Sequence, residues 1–178
     1  MSIPNFQTLF RILLTPVFFI TLISYTPENE WLRLVALGIF AVAALTDALD
    51  GLLARFLKQR TELGQMLDPL ADKILLLSAY IGLLFVPTIP FRPPLWITVT
   101  IIFRDLILLF GFFTLHFAAV KIEVLPNLWG KWTTASQMLL LCFILIEWPV
   151  AVPLAYVTVA FTIISGIVYI MRGLKFLQ

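Results

Sequence analysis

Five aspartates stand in or beside apolar stretches of this 178-residue chain: Asp47, Asp50, Asp68, Asp72 and Asp105. An aspartate at the centre of a membrane helix costs about 2.5–3.5 kcal/mol on insertion scales, so four near one level require an ion, water or a basic partner. Asp47 and Asp50 are i and i+3, Asp68 and Asp72 are i and i+4, and on a helix each pair projects from one face. Clustered carboxylates without histidine or cysteine suit hard divalent cations such as Mg²⁺, Mn²⁺ or Ca²⁺. Four carboxylates have room for two ions, and paired ions serve phosphoryl transfer by stabilising both the attacking and the leaving oxygen. The competing reading is structural, with aspartates paired to Arg55, Lys73 and Arg104 to fix helix packing. The lone Cys142 and the lone His116 provide neither an internal disulfide nor a histidine-rich zinc site, so thiol and zinc chemistry are set aside.

The elements that must position these carboxylates are membrane helices. The chain is 61% hydrophobic and 12% charged, against the roughly 45–50% and about 25% of soluble domains. Its mean hydropathy is +1.03. A net charge of +2 gives no strongly basic surface for a nucleic-acid polymer, so the partner implied is the lipid bilayer. Counting apolar runs predicts an all-α integral membrane protein with six transmembrane helices, near Leu9 to Tyr25, Trp31 to Phe56, Pro69 to Val86, Leu95 to Ala118, Trp132 to Trp148 and Val152 to Met171. Thr26 to Glu30, Val86 to Pro90 and Trp148-Pro149 break helices between them, while Pro16 is placed to kink the first span. A signal peptide over residues 1–25 is the alternative, but Ile23-Ser24-Tyr25 offers no small-residue cleavage site.

Arg11, Arg55, Lys58, Arg60, Lys121, Lys131, Arg172 and Lys175 fall on one side of this layout, and Arg33 and Arg92 on the other. The positive-inside rule then puts both termini in the cytoplasm. Asp47 lies 14 residues beyond Arg33 and Asp72 lies 14 before Val86, each about 21 Å along a helix. Both aspartate pairs are therefore expected at one depth, in the half of the bilayer facing the cytoplasm. No internal repeat or linker interrupts residues 1–178, which read as a single membrane domain.

The run Asp47-Ala48-Leu49-Asp50-Gly51-Leu52-Leu53-Ala54-Arg55, followed after eight residues by Gly64, then Asp68 and Asp72 at intervals of four, resembles the signature of the CDP-alcohol phosphatidyltransferases at all eight of its fixed positions. Length and span number agree, so the resemblance covers essentially the whole chain. It implies that Asp47, Asp50, Asp68 and Asp72 bind Mg²⁺ or Mn²⁺, as a two-ion site, which holds the diphosphate of CDP-diacylglycerol. It makes Asp72 also the general base for the acceptor hydroxyl, with CMP as leaving group. Gly51, Ala54 and Gly64 match small positions beside the nucleotide, although small residues also serve helix packing in membranes. Arg55 is placed to grip phosphate or to anchor the helix at the cytoplasmic face. Ile3 to Arg11 resembles the family's N-terminal amphipathic juxtamembrane segment; Asn5, Thr8 and Arg11 recur at i, i+3 and i+6, suited to CDP-lipid contact or to interfacial anchoring.

Arg104 falls inside the fourth span with Asp105 beside it, and neighbours on a helix do not face each other, so they are expected to be a poor mutual salt bridge. Lys131, Thr134 and Gln137 recur at i, i+3 and i+6 on the fifth span. With Arg104 they form a candidate basic pocket for an anionic acceptor; snorkelling and interhelical bonding are the alternatives. The runs Gly64 to Lys73 and Gly130 to Thr134 resemble the bacterial phosphatidylglycerophosphate synthase branch, which implies glycerol 3-phosphate as acceptor. Asp105 and Thr133 resemble instead the cardiolipin synthase branch, whose acceptor is phosphatidylglycerol. The resemblance further implies a bacterial inner-membrane enzyme with its site facing the cytoplasm, and allows a homodimer. A small ion or proton transporter is the non-enzyme alternative, but its charges would have to reach both membrane faces, whereas these crowd toward one.

Overall fold

The computed structural model describes the backbone of residues 3–57, 62–117 and 128–175 and the side chains of residues 9–46, 70–114 and 128–171. The described residues form six helices: α1 (Ile3–Ile23), α2 (Trp31–Leu57), α3 (Glu62–Phe85), α4 (Leu95–Phe117), α5 (Leu128–Ile146) and α6 (Ala151–Lys175). Each span predicted from hydropathy falls on one of them. Two boundaries differ instructively. α3 begins at Glu62, one and a half turns or more before the expected Pro69, because hydropathy marks the apolar part of a helix and not its polar first turns. α1 runs through Pro16 and is continuous from Ile3, so the expected juxtamembrane segment and first span form one helix; Pro4 sits in its first turn, where a missing N–H costs least.

The chain divides into two compact units, Met1–Ile89 and Pro90–Gln178. In the first, α1 packs against both α2 and α3. The Phe18 and Phe40 rings meet across α1 and α2 with centroids 5.8 Å apart. α1 approaches α3 closely at Gly82, where a Cβ would lie 2.8 Å from Leu22 Cδ2 and 3.5 Å from Phe19 Cδ2. In the second unit α6 packs against both α4 and α5. Trp96 meets Tyr156 across α4 and α6, and Trp129 meets Phe161 across α5 and α6. Contacts that climb together along both partners make α1 parallel to α3, and α4 parallel to α6.

α5 ends in a complete Schellman arrangement. The Trp148 N–H donates to the Phe143 carbonyl at 2.9 Å and the Glu147 N–H to that of Ile144 at 3.0 Å. The Phe143 and Trp148 rings close the motif at 5.0 Å, and Glu147 takes the left-handed conformation (φ 59°) usually given to glycine.

The outward faces are apolar. Phe10, Leu13, Val17 and Ile20 form an exposed stripe on α1, as do Phe103, Ile107 and Phe110 on α4 and Ile163, Ile167 and Ile170 on α6. Among the described residues, Leu95–Thr114 and Ala151–Met171 are long and apolar enough to cross a bilayer, while the apolar stretches Leu9–Ile23 and Trp31–Thr46 are shorter. Buried positions, conversely, include hydroxyls: Thr98, Thr133, Ser136, Thr158, Thr162 and Ser165. Apolar outside with small and hydroxylic residues inside is the arrangement expected of helices packed in lipid.

The Gly82 contact carries a direct expectation. Gly82→Val should lower stability by about 1–3 kcal/mol through overpacking against Leu22 and Phe19. Gly38→Ala, at a site with nothing within 4 Å, should be neutral or stabilising. Thermal unfolding of both variants in one detergent checks the contrast.

Candidate functional site

In the first unit, the four aspartates of the signature occupy helical backbone positions, Asp47 and Asp50 on α2, Asp68 and Asp72 on α3. The side chains of Asp47, Asp50 and Asp68 lie outside the described residues, as do those of Asn5, Thr8, Ala54 and Arg55 and the surroundings of Gly51 and Gly64. Asp72 is described, and its carboxylate is 29% exposed. Oδ1 accepts from Nη1 of Arg11, 61 residues earlier on α1. Arg11 is only 2% exposed and is among the largest fully buried side chains. The Thr15 hydroxyl donates to the Arg11 carbonyl at 2.9 Å, one turn further along the same face.

This pair was not legible in the charge pattern. Counting basic residues places Arg11 with the interfacial cations, whereas the structure buries its guanidinium in the α1–α3 contact. A buried guanidinium costs several kcal/mol to desolvate and persists only with a charge partner, so the pair ties α1 to the site. Among the described residues no three histidine, cysteine or acidic side chains come together as a metal cluster. The expected ligand set is one described carboxylate and three outside the described side chains.

In the second unit, Arg104 and Asp105 are both buried, at 6% and 1% exposure. They pair directly, with Nη1 to Oδ1 2.6 Å. The expectation of a poor mutual salt bridge is thereby corrected: neighbouring Cβ atoms diverge, but the long arginine chain folds back, and an apolar interior rewards the pairing far more than water does. The other arm of the fork, Nη2, donates to Ser165 on α6. The Tyr169 ring lies 6.0 Å from the guanidinium carbon. Gly130 at the start of α5 completes the corner, since a Cβ there would lie 3.2 Å from the Tyr169 hydroxyl and 3.7 Å from Arg104 Nη2. Arg104 Nε has no hydrogen-bond partner among the described residues.

Of the other expected acceptor residues, Lys131 is exposed beside Gly130, and the half-buried Thr134 donates to the Gly130 carbonyl at 3.1 Å. Gln137 is wholly buried two turns further along α5. Thr133 shares its hydroxyl proton between the carbonyls of Trp129 at 2.8 Å and of Phe161 at 3.0 Å, and so stitches α5 to α6. Ser165 and Tyr169 were missed by sequence reasoning, because nothing in their spacing marks them until α6 is set against α4. An open groove of about 410 Å³ between α4 and α6 is walled by Phe103, Ile107, Ile163 and Ile167, with Arg104 and Tyr169 also in its lining.

Residues 1–164 match the family model described as CDP-alcohol phosphatidyltransferase. The chain belongs to the CDP-alcohol phosphatidyltransferase family. It is a membrane-associated transferase of phospholipid biosynthesis, and its reaction is phosphatidyl transfer. A probable phosphatidylglycerophosphate synthase of Mycobacterium tuberculosis is 37% identical over 180 residues, covering 98% of this chain and 82% of that protein. The CDP-diacylglycerol–glycerol-3-phosphate 3-phosphatidyltransferase of Pseudomonas fluorescens is 34% identical over 192 residues, covering 100% of this chain and 89% of that protein. Human cardiolipin synthase (CMP-forming) is 43% identical over 117 residues, covering 65% of this chain and 36% of that protein.

The buried pair makes Asp72 a structural residue of this family member as well as a candidate catalytic one. Asp72→Ala should cost about 3 kcal/mol by removing a charge partner of a buried guanidinium. Adding Arg11→Met should restore most of the lost melting temperature without restoring turnover. Parallel melting curves and CMP-release rates for wild type, single and double variants check both halves.

Proposed function

We propose that this protein transfers the phosphatidyl group of CDP-diacylglycerol to the hydroxyl of glycerol 3-phosphate, giving phosphatidylglycerophosphate and CMP. The observation that supports this choice of acceptor is the near full-length similarity to enzymes named for that reaction. In this reading residues 1–178 act as one membrane domain whose six helices all cross the bilayer of a bacterial inner membrane, with termini and site toward the cytoplasm. The parallel pairs α1/α3 and α4/α6 agree with strict alternation of direction across a membrane.

The acceptor oxygen attacks the lipid-side phosphorus of the diphosphate, the bond from that phosphorus to the CMP oxygen breaks, and CMP leaves with the bonding electrons. Asp72 takes the proton from the attacking hydroxyl. An oxygen-only donor set from Asp47, Asp50, Asp68 and Asp72 fits Mg²⁺ or Mn²⁺, and the partial exposure of the Asp72 carboxylate leaves it accessible to a cation. When bound, two such ions would neutralise the diphosphate and the charge developing on the leaving oxygen. Asn5, Thr8, Gly51, Ala54, Arg55 and Gly64 line the nucleotide and diphosphate side. Arg104, Lys131, Thr134 and Gln137 bind the acceptor, with Arg104 held in place by Asp105 and Ser165.

One observation favours a second acceptor. The apolar groove that Arg104 joins would suit the acyl chains of phosphatidylglycerol, the acceptor in cardiolipin synthesis, better than the compact glycerol 3-phosphate.

Purified protein with CDP-diacylglycerol and Mg²⁺ or Mn²⁺ is expected to release CMP with glycerol 3-phosphate and not with phosphatidylglycerol. Release with phosphatidylglycerol alone would transfer the assignment to the second reading, and metal-independent release would refute the ion site. Arg104→Ala should raise the acceptor KM roughly tenfold while leaving the CDP-diacylglycerol KM near wild type. An unchanged acceptor KM would remove Arg104 from the pocket.

A further inference from the structure

We infer that Arg11 is a positioning residue for Asp72 and the resident counter-charge of the carboxylate site, competing electrostatically with the divalent cation that the site is proposed to hold. The inference rests on the metal-dependent reading above and adds to it a residue on a third helix. Its basis is the direct Nη1 to Oδ1 contact between Arg11 and Asp72 and the unequal exposure of the two partners. Arg11 is enclosed between α1 and α3, whereas the Asp72 carboxylate it contacts stays 29% exposed.

A planar guanidinium orients a carboxylate more strictly than an ammonium does, because its donors are fixed in one plane. α1 and α3 also pack closely where Leu22 and Phe19 meet Gly82, about two to three turns beyond Arg11 along α1. The arginine has two opposed effects on the reaction. It fixes the direction in which Asp72 accepts the acceptor proton, and it subtracts one positive charge's worth of attraction from a cation arriving at the same carboxylate. A purely structural Arg11 would have the first kind of effect on stability but would not shift cation affinity in the favourable direction when removed.

The test is Mn²⁺ binding to the full chain in detergent, followed by electron paramagnetic resonance of free Mn²⁺, alongside CMP release. Arg11→Gln should bind Mn²⁺ roughly tenfold more tightly than wild type while kcat falls at least tenfold. Arg11→Lys, which keeps the charge and loses the fork, should bind Mn²⁺ as wild type does, with reduced kcat and unchanged KM for CDP-diacylglycerol. Mn²⁺ affinity that is unchanged or weaker in a folded Arg11→Gln protein overturns the inference while leaving the metal-dependent reading in place. Should Arg11→Gln not fold, wild-type kcat in Arg11→Lys overturns it equally. Absence of Mn²⁺ binding by the wild-type chain overturns the metal-dependent reading and this inference together.

Discussion

Arg11 and Asp72 meet where an apolar three-helix unit has to hold charge, and much of the first unit follows from that meeting. The buried guanidinium is not tolerable alone in such surroundings, so the helices that carry the pair, α1 and α3, lie side by side at one register. That register brings Gly82 under Leu22 and Phe19, where a missing side chain permits the helices to close. It also sets α3 so that one carboxylate of the signature is partly open, and α1 so that its apolar stripe of Phe10, Leu13, Val17 and Ile20 points outward. Charge placement inside and apolar placement outside are thus two aspects of a single helix orientation.

The second unit handles the same constraint by another route. Its buried ions are sequence neighbours, Arg104 and Asp105, and the helix contacts are made by hydroxyls and aromatic rings. Thr133 bonds the backbone of α6, the Thr158 hydroxyl donates to the Ser136 carbonyl at 3.4 Å, and Ser165 receives the second arm of Arg104. Hydroxyl groups are inexpensive to bury because each satisfies itself on a nearby carbonyl, so the unit holds polar groups at close quarters without adding net charge. The result is a single guanidinium held by carboxylate, hydroxyl and ring.

The sequence carries the helices plainly and the pairings hardly at all. Prolines, charges and apolar runs punctuate the six elements because each acts locally, and the aspartates are legible because their spacing is that of two helical pairs, one on α2 and one on α3. Partner choice is different in kind. Whether Arg11 lies at the interface or inside depends on which face of α1 meets α3, and α1 presents apolar residues almost all round. The Arg104–Asp105 contact was misjudged because the rule for neighbours considers Cβ directions and not the reach of a long side chain. Ser165 and Tyr169 lie 61 and 65 positions beyond Arg104 and share no periodicity with it. Glu147 likewise gives no warning of its left-handed backbone, which is imposed by the Phe143–Trp148 closure of α5.

The contrast between the two ion pairs bears on how the chain enters a membrane as it is synthesised. Arg104 and Asp105 are made within one residue of each other, so α4 can leave the ribosome and partition into lipid with its charges already cancelled, before α6 exists to receive it. Arg11 and Asp72 are separated by 61 residues, so the guanidinium is made well before its carboxylate partner. The ions of the first unit can therefore pair only once α3 has been made, whereas those of the second can pair within α4 alone. The distance in sequence between opposite charges, as much as their distance in space, sets the order in which such pairs can form.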